Sequence, residues 1–552
     1  MSDGPLIVQS DKTVLLEVDH PQSDVARRAV AAFADLERAP EHIHTYRITP
    51  LGLWNARAAG FDAEYVVDTL LNYSRFPVPH SLLVDIAETM SRYGRLRLEK
   101  DPVHGLVLRS QEPGILSEVL HAKTLASLLG PEIDETTVAV HGQARGELKQ
   151  QLLRLGWPAE DLAGFVDGTA HPIALRQDGW ALRGYQQEAV DNFWQAGSGV
   201  VVLPCGAGKT LVGAAAMATS GTITLILVNS TVSARQWKAE LLKRTSLTEE
   251  EIGEYSGARK EVRPVTIATY QVLASRKNEL FTHMELLNGH DWGLIIYDEV
   301  HLLPAPIFRM TADLQARRRL GLTATLIRED GREREVFSLI GPKRYDTPWK
   351  QMEAQGWIAP ATCIEVRTDL PRGLRMEYAS AADKERHRLA AGAEIKDAVV
   401  AKLVARHRYL DEQVLVIGQF VDQLERIGEQ LGAPVLTGSA SVAARQKQFD
   451  AFRAGELKVL VVSKIANFSI DLPQASVAIQ VSGTFGSRQE EAQRLGRLLR
   501  PGNTEDGEDP KRAHFYSVVT RDTVDMEYAA RRQRFLSEQG YGYSILDAED
   551  IV

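Results

Sequence analysis

From Gly199 onward, short apolar runs alternate with longer stretches whose apolar positions recur at helical spacing. The runs GVVVLP, TLILV, VTIAT, LIIYDE and RLGLTAT have the length and continuity of buried strands, which predicts a parallel sheet covered by helices. Together they define one α/β domain over residues 179–345. A second set, QVLVIG, PVLTG, KVLVVS, VAIQVS and FYSVV, follows from about residue 413 and predicts a second α/β domain over 346–552. Between the two sets, the stretch ADKERHRLAAGAEIKDAVVAKLVARH is charged and helical without a strand pattern. Residues from about 367 to 410 therefore read as a helical insertion.

The N-terminal part has a different texture. Residues 46–110 read as three short helices (TPLGLWNARAAG, AEYVVDTLLNYS, SLLVDIAETMSRYG) and two strands (RLRLEK, GLVLRS) around the turn DPVHG. Helix, helix, helix, wing is the order of a winged-helix module, which binds DNA or protein, and equally of a plain scaffolding unit. This N-terminal domain spans 1–115, and a mixed segment with ELKQQLLRLGW and HPIAL fills 116–178. No short fixed period repeats, which excludes a solenoid or propeller.

At 552 residues the chain exceeds what one core holds, in keeping with several domains. Its 44% hydrophobic and 25% charged residues are those of an ordinary globular protein, and its net charge of -9 argues only weakly against a polyanionic partner, because local patches decide binding. Two isolated cysteines, Cys205 and Cys363, make a disulfide framework or thiolate zinc site unexpected and fit a reducing cytoplasm. No apolar run approaches bilayer length and the N-terminus lacks a signal-peptide progression, so neither membrane insertion nor secretion is expected.

Candidate chemistry begins where the strand VVVL runs into PCGAGKT and the helical LVGAAAMA. Gly206, Ala207, Gly208, Lys209 and Thr210 then lie at a strand-to-helix turn, where backbone N–H groups and the helix N-terminus form an anion nest. Lys209 would reach the β and γ phosphates and the Thr210 hydroxyl would ligate Mg²⁺, although Leu203 stands where the strict phosphate-loop pattern has its first glycine. The strand LIIYDEVH delivers Asp298 and Glu299 side by side, an arrangement costly to bury without a cation. Asp298 would hold Mg²⁺ and Glu299 would polarise the attacking water. Upstream, Arg183 and Gln186 are placed to meet an adenine edge.

In the second α/β domain, SRQEEAQRLGRLLRP sets Gln493, Arg494, Arg497 and Arg500 on one helix face. A solvated charged face is the bland reading; arginines aimed at the charge developing on a transferred phosphoryl group are the sharper one, and they make hydrolysis depend on domain closure. Asn229, Ser230, Arg235 and Trp237 follow the strand TLILV, and Thr269 and Tyr270 follow VTIAT. Loops at the carboxyl ends of parallel strands form the working face of such sheets, so these residues are expected to contact nucleic-acid phosphates with low sequence specificity, Trp237 being a core residue rather than a stacking one.

The set GAGKT, DEVH (with His301), TAT (Thr323 to Thr325) and QRLGRLLR resembles superfamily 2 helicases. With RED (Arg328, Glu329, Asp330), IGPKRYD, SKIANFSIDLP and GSRQEEAQRLGRLLR, the chain is similar to the prokaryotic branch of the XPB family. The resemblance covers the chain from about residue 170 and, more loosely, the part before it. It implies two tandem RecA-like parallel-sheet domains with an inserted helical thumb-like segment, preceded by smaller α+β domains, winged-helix-like and damage-recognition-like. It also implies an ATP- and Mg²⁺-dependent 3′ to 5′ DNA helicase acting in repair or promoter opening. Arg328, Glu329 and Asp330 would work at the strand-separating edge, and the insertion would grip DNA. Asp471 would touch the ribose or link ATP to DNA, and His301, Thr323 and Thr325 would couple the two. Single-stranded DNA and duplex junctions are the expected partners, with a repair nuclease or transcription and repair proteins, and the chain is expected to act as a monomer without a membrane. The alternatives are an RNA helicase, a duplex translocase that separates no strands, and a nucleotide-regulated DNA-binding scaffold. A nuclease has little support, since His42 and His44 read as surface residues.

Overall fold

The computed structural model describes residues 4–39, 42–204, 206–277, 280–281, 283, 286, 289–303, 314, 317–324, 333–347, 349–355, 359–463, 475–483, 512–539 and 541–551. Four strands with alternating buried positions, β1 (Leu6–Val8), β2 (Thr13–Glu17), β3 (Ala34–Arg38) and β4 (Ile43–Ile48), form an antiparallel sheet in the order β1-β2-β4-β3. Helices α1 (Ser23–Val30), α2 (Pro50–Ala58), α3 (Ala63–Tyr73) and α4 (His80–Ser91) pack on it, so that Leu53, Val66, Leu70, Leu82, Ile86 and Met90 share one core with Leu6, Val14 and Leu16.

A second sheet, β7 (Leu129–Asp134), β8 (Thr137–Val140), β6 (Gly105–Ser110), β5 (Leu96–Asp101) and β9 (Ala159–Asp161) in that order, carries α5 (Pro113–His121) and α6 (Arg145–Arg154) and has its own core. The winged-helix reading is corrected here. The three helices and the hairpin belong to different cores, because the helices bury their apolar faces on the first sheet while β6 pairs with β8 and β5 with β9. The division expected at residue 115 likewise runs through the second sheet.

After α7 (Gly184–Ala196) comes a seven-stranded, all-parallel sheet. Its order is β12 (Ile252–Tyr255), β13 (Val265–Thr269), β11 (Thr224–Val228), β16 (Leu294–Asp298), β17 (Arg318–Thr323), β10 (Ser198–Val202) and β18 (Lys343–Asp346). The short pair β14 (Arg276–Lys277) and β15 (Leu280–Phe281) lies apart from it. Helices α8 (Lys209–Ser220), α9 (Thr231–Arg244) and α10 (Tyr270–Ala274) follow β10, β11 and β13.

Among the described residues the C-terminal sheet is also seven-stranded and parallel, in the order β21 (Val435–Leu436), β22 (Val459–Ser463), β20 (Val414–Gly418), β23 (Val477–Gln480), β24 (Ala513–Thr520), β19 (Ala361–Thr368), β25 (Tyr543–Asp547). The chain thus carries two parallel-sheet lobes of RecA-like type.

Of the insertion expected over 367–410, Arg367 and Thr368 end β19 and the helices are Arg372–Ser380, Asp383–Ala391 and Ile395–Tyr409, the last of which is not inserted. Val399, Val400, Leu403 and Val404 sit in the core of the C-terminal sheet with Val414, Val416 and Val461. Buried Lys396 of this helix pairs with buried Asp525 at 2.5 Å and donates to the carbonyls of Val481 and Val518. The charged residues that disguised the helix lie on its outer face or, like Lys396, are paired. The N-terminal units dock on the first lobe: Lys343 N–H donates to Asn55 Oδ1, Arg344 donates to the Ala58 carbonyl, and Trp54, Leu153 and Phe337 pack together.

Candidate active site

The phosphate loop follows from local chemistry. Buried Leu203 follows β10, and Gly206 and Gly208 then take φ of +85° and +80°, the left-handed region that glycine enters without a Cβ penalty. The chain turns directly into α8, whose alanine-rich first turns are good helix formers, and Gly208 stands at the N-cap with its neighbouring N–H groups at the positive end of the helix dipole.

Lys209 and Glu299 meet across this loop, Nζ to Oε1 3.1 Å, with side chains 11% and 15% exposed. Glu299 has φ +49°, uncommon for a non-glycine residue, and that turn presents its carboxylate to the lysine. Burial raises the Glu299 pKa, but the opposing pull of Lys209 and His301 wins and leaves it below its ordinary value. Asp298 goes the other way. Burial and the adjacent Glu299 charge push it up to about 6, against the smaller stabilising effects of Trp237 and Lys209. Two neighbouring carboxylates held apart in this way are characteristic of a functional site.

Three buried side chains that sequence reasoning did not assign to this site complete it. The Trp237 indole N–H donates to Asp298 Oδ2 at 2.9 Å, Tyr270 O–H donates to the Asp298 carbonyl at 2.8 Å, and Tyr185 O–H donates to the Ala207 carbonyl at 2.9 Å. Trp237 is indeed a core residue, but 61 positions separate it from Asp298 in sequence. The one local signal was Gly213 in the middle of α8, where a Cβ would stand 2.5 Å from the indole.

Gln186 differs from expectation. It is 2% exposed, its Oε1 accepts from Arg183 N–H and its Nε2 donates to the Ala207 carbonyl, so it braces the phosphate loop instead of presenting its amide outward. Arg183 is half-buried beside Tyr185. Gly206 is exposed, and Thr210 is half-buried one residue into α8.

Of the residues expected to contact nucleic acid, Asn229 is half-buried, with Oδ1 accepting from Ser233, and Arg235 is exposed on α9. Thr269 is 4% exposed at the N-cap of α10, immediately before buried Tyr270. His301 and Thr323 are buried and share a 2.6 Å hydrogen bond, with His301 Nδ1 3.5 Å from Glu299 Oε2, so a polar chain runs from the carboxylate to the end of β17. His44, read as a surface residue, is buried against Arg27, while His42 is exposed and pairs with Asp19. Cys205, Thr325, Arg328, Glu329, Asp330, Asp471, Gln493, Arg494, Arg497 and Arg500 lie outside the described residues. Among the described residues no group of three or more His, Cys, Asp or Glu could hold a metal ion, and no helix is long and apolar enough to cross a membrane.

Comparison with known proteins agrees with this arrangement. Residues 352–551 match the family described as ERCC3/RAD25/XPB C-terminal helicase, residues 180–328 that described as type III restriction enzyme, res subunit, and residues 6–134 a helicase conserved C-terminal domain. The chain is 69% identical over 551 residues to the DNA 3′-5′ helicase XPB of Kineococcus radiotolerans, covering 100% of this chain and 98% of that protein. It is 66% identical over 552 residues to the protein of the same name from Mycobacterium tuberculosis, covering 100% and 99%. The XPB helicase/translocase subunit of the general transcription and DNA repair factor IIH of Antonospora locustae is 33% identical over 573 residues, covering 99% and 82%. With a nucleotide-type loop opposed by paired carboxylates, two parallel-sheet lobes and this degree of identity along its whole length, the chain belongs to the XPB family of helicases.

Proposed function

We propose that this chain is an ATP-driven DNA helicase that moves 3′ to 5′ and serves DNA repair. The observation that carries the reading is the Lys209–Glu299 pair: a lysine at a helix N-terminus faces a carboxylate beside a second carboxylate of raised pKa, all at the carboxyl end of a parallel sheet. This donor set fits a nucleotide triphosphate with a divalent cation, because the loop and lysine supply positive potential and Asp298 and Thr210 supply oxygen ligands. Mg²⁺ bound there would offset the negative charge between the β and γ phosphates.

Lys209 releases Glu299 to take the phosphates, and Glu299, with His301 beside it, orients the water and accepts its proton. Asp298 and Thr210 serve the cation. Arg183 and Gln186 border the nucleotide, with Gln186 reporting on the loop it braces. Gln493, Arg497 and Arg500, from the segment after the C-terminal sheet's β23, would complete the site on lobe closure, with Asp471 linking nucleotide to DNA. Asn229 and Arg235 would hold the phosphates of the tracked strand, and Arg328, Glu329 and Asp330 would part the duplex. The motor comprises 179–345 and 346–552; of the expected thumb, Arg372–Ser380 buries none of its residues, whereas Asp383–Ala391 buries His387, Ala390 and Ala391 and its Ala390 carbonyl accepts from Thr520 Oγ1 of β24.

Strand displacement on duplexes with a 3′ or a 5′ single-stranded tail, with and without ATP, tests the reading. Displacement of the 3′-tailed duplex alone, dependent on ATP, is expected. Stronger ATPase stimulation by RNA than by DNA of equal length would favour an RNA helicase, and stimulation without displacement would favour a duplex translocase.

A further inference from the structure

Three neighbouring strands, β13, β11 and β16, end side by side, and the segments that follow them are tied together. Ser230 caps α9 by accepting from Ser233 N–H, and Gln271 of α10 donates to the Asn229 carbonyl at 2.6 Å. The outer rim of this unit carries Asn229 and exposed Arg235. Its inner side carries two aromatic side chains, each 2% exposed, and both end on the same residue: Trp237 on the Asp298 carboxylate and Tyr270 on the Asp298 carbonyl.

The packing leaves these contacts little slack. Trp237 lies against α8 at Gly213, where even a Cβ would collide with the ring, and Ala234 and Leu241 of the same helix are buried in the same core. Rigid aromatic rings in a close-packed interior pass displacement on instead of absorbing it. A shift of α9 or α10 as a strand seats on the rim must therefore move or reorient Asp298, whose carboxylate the indole aims and whose main chain the phenol anchors.

We propose that Trp237 and Tyr270 are positioning residues that couple occupancy of the DNA track to the geometry of Asp298, and so to nucleotide binding. This rests on the functional reading above. Both are 2% exposed, with little surface left to offer DNA or nucleotide. Each acts through Asp298, and the two reach it from separate helices, one through the side chain and one through the backbone. Such coupling is reciprocal: if DNA alters the nucleotide site, bound nucleotide must alter DNA affinity by the same factor.

The test measures that factor in the full-length chain. Affinity for a fluorescently labelled single-stranded DNA is determined by anisotropy without nucleotide and with saturating AMP-PNP and Mg²⁺, for the native chain and for Trp237→Phe, Tyr270→Phe and the double variant. The ratio of the two affinities is the readout, and a defect in folding or packing alone would leave it in place. In the native chain nucleotide is expected to change DNA affinity by at least about fivefold, and either phenylalanine variant to reduce that ratio by about threefold or more. A native ratio below about threefold, or a ratio in both single variants within about threefold of the native one, overturns the proposal. Should Trp237→Phe fail to fold, Tyr270→Phe decides alone. A native chain that neither binds DNA nor hydrolyses ATP overturns the functional reading itself, a different result from intact binding and hydrolysis with unaltered coupling.

Discussion

On the proposed reading, Glu299 has two opposed roles, and replacing it with glutamine separates them. In the structure its carboxylate holds Lys209 at 3.1 Å with both side chains largely buried, so the triphosphate must displace it to reach the lysine. At an effective dielectric of about 20 the gross attraction at this separation is about 5 kcal/mol, most of it cancelled by desolvation, leaving the roughly 1.5–3 kcal/mol of a charged hydrogen bond. Glutamine keeps an acceptor oxygen and loses the charge. Nucleotide binding should therefore tighten by about 1 kcal/mol, or about fivefold, while DNA-stimulated turnover falls at least about 100-fold for want of the base. Titration with a fluorescent ATP analogue gives the first quantity and phosphate release in the presence of single-stranded DNA the second. Turnover within tenfold of the native rate, or binding weakened more than tenfold, would refute the reasoning.

Lys396→Met leaves Asp525 buried without its cation and should destabilise the C-terminal lobe by about 3–5 kcal/mol, with part recovered by adding Asp525→Leu; urea unfolding checks this, and a cost of the single change below about 1 kcal/mol would contradict it. Gly213→Ala should cost about 1–3 kcal/mol despite the better helix propensity of alanine, because the new Cβ meets Trp237, and a stabilised variant in thermal unfolding would show that the indole yields. Burial, with Arg27 nearby, depresses the His44 pKa from 6.5 to about 4, so unfolding takes up a proton at acid pH. The stability present above pH 6.5 should decline by about 3 kcal/mol between pH 6.5 and 4, and His44→Gln should flatten that slope in unfolding curves measured across the range.

Read alone, the amino-acid sequence determined whatever depends on neighbours along the chain. The runs VVVLP, TLILV, VTIAT and LIIYD became strands of one parallel sheet because continuous apolar residues must be covered on both faces. The glycines of GAGKT marked the anion nest because only a residue without a Cβ turns there freely, and the adjacent carboxylates Asp298 and Glu299 stood out because such a pair is costly to bury without a cation. Only the tertiary structure decided what depends on distant neighbours. It divided the supposed winged helix between two cores, since the apolar face of a helix does not state which sheet will cover it. It drew the helix Ile395–Tyr409 into the C-terminal core by pairing Lys396 with a residue 129 positions away. It turned Gln186 onto the loop, buried Thr269, and brought Trp237 and Tyr270 to one aspartate. Periodicity along a chain shows that a side chain must be buried, whereas its partner is chosen by strand order and helix packing, which no local pattern encodes.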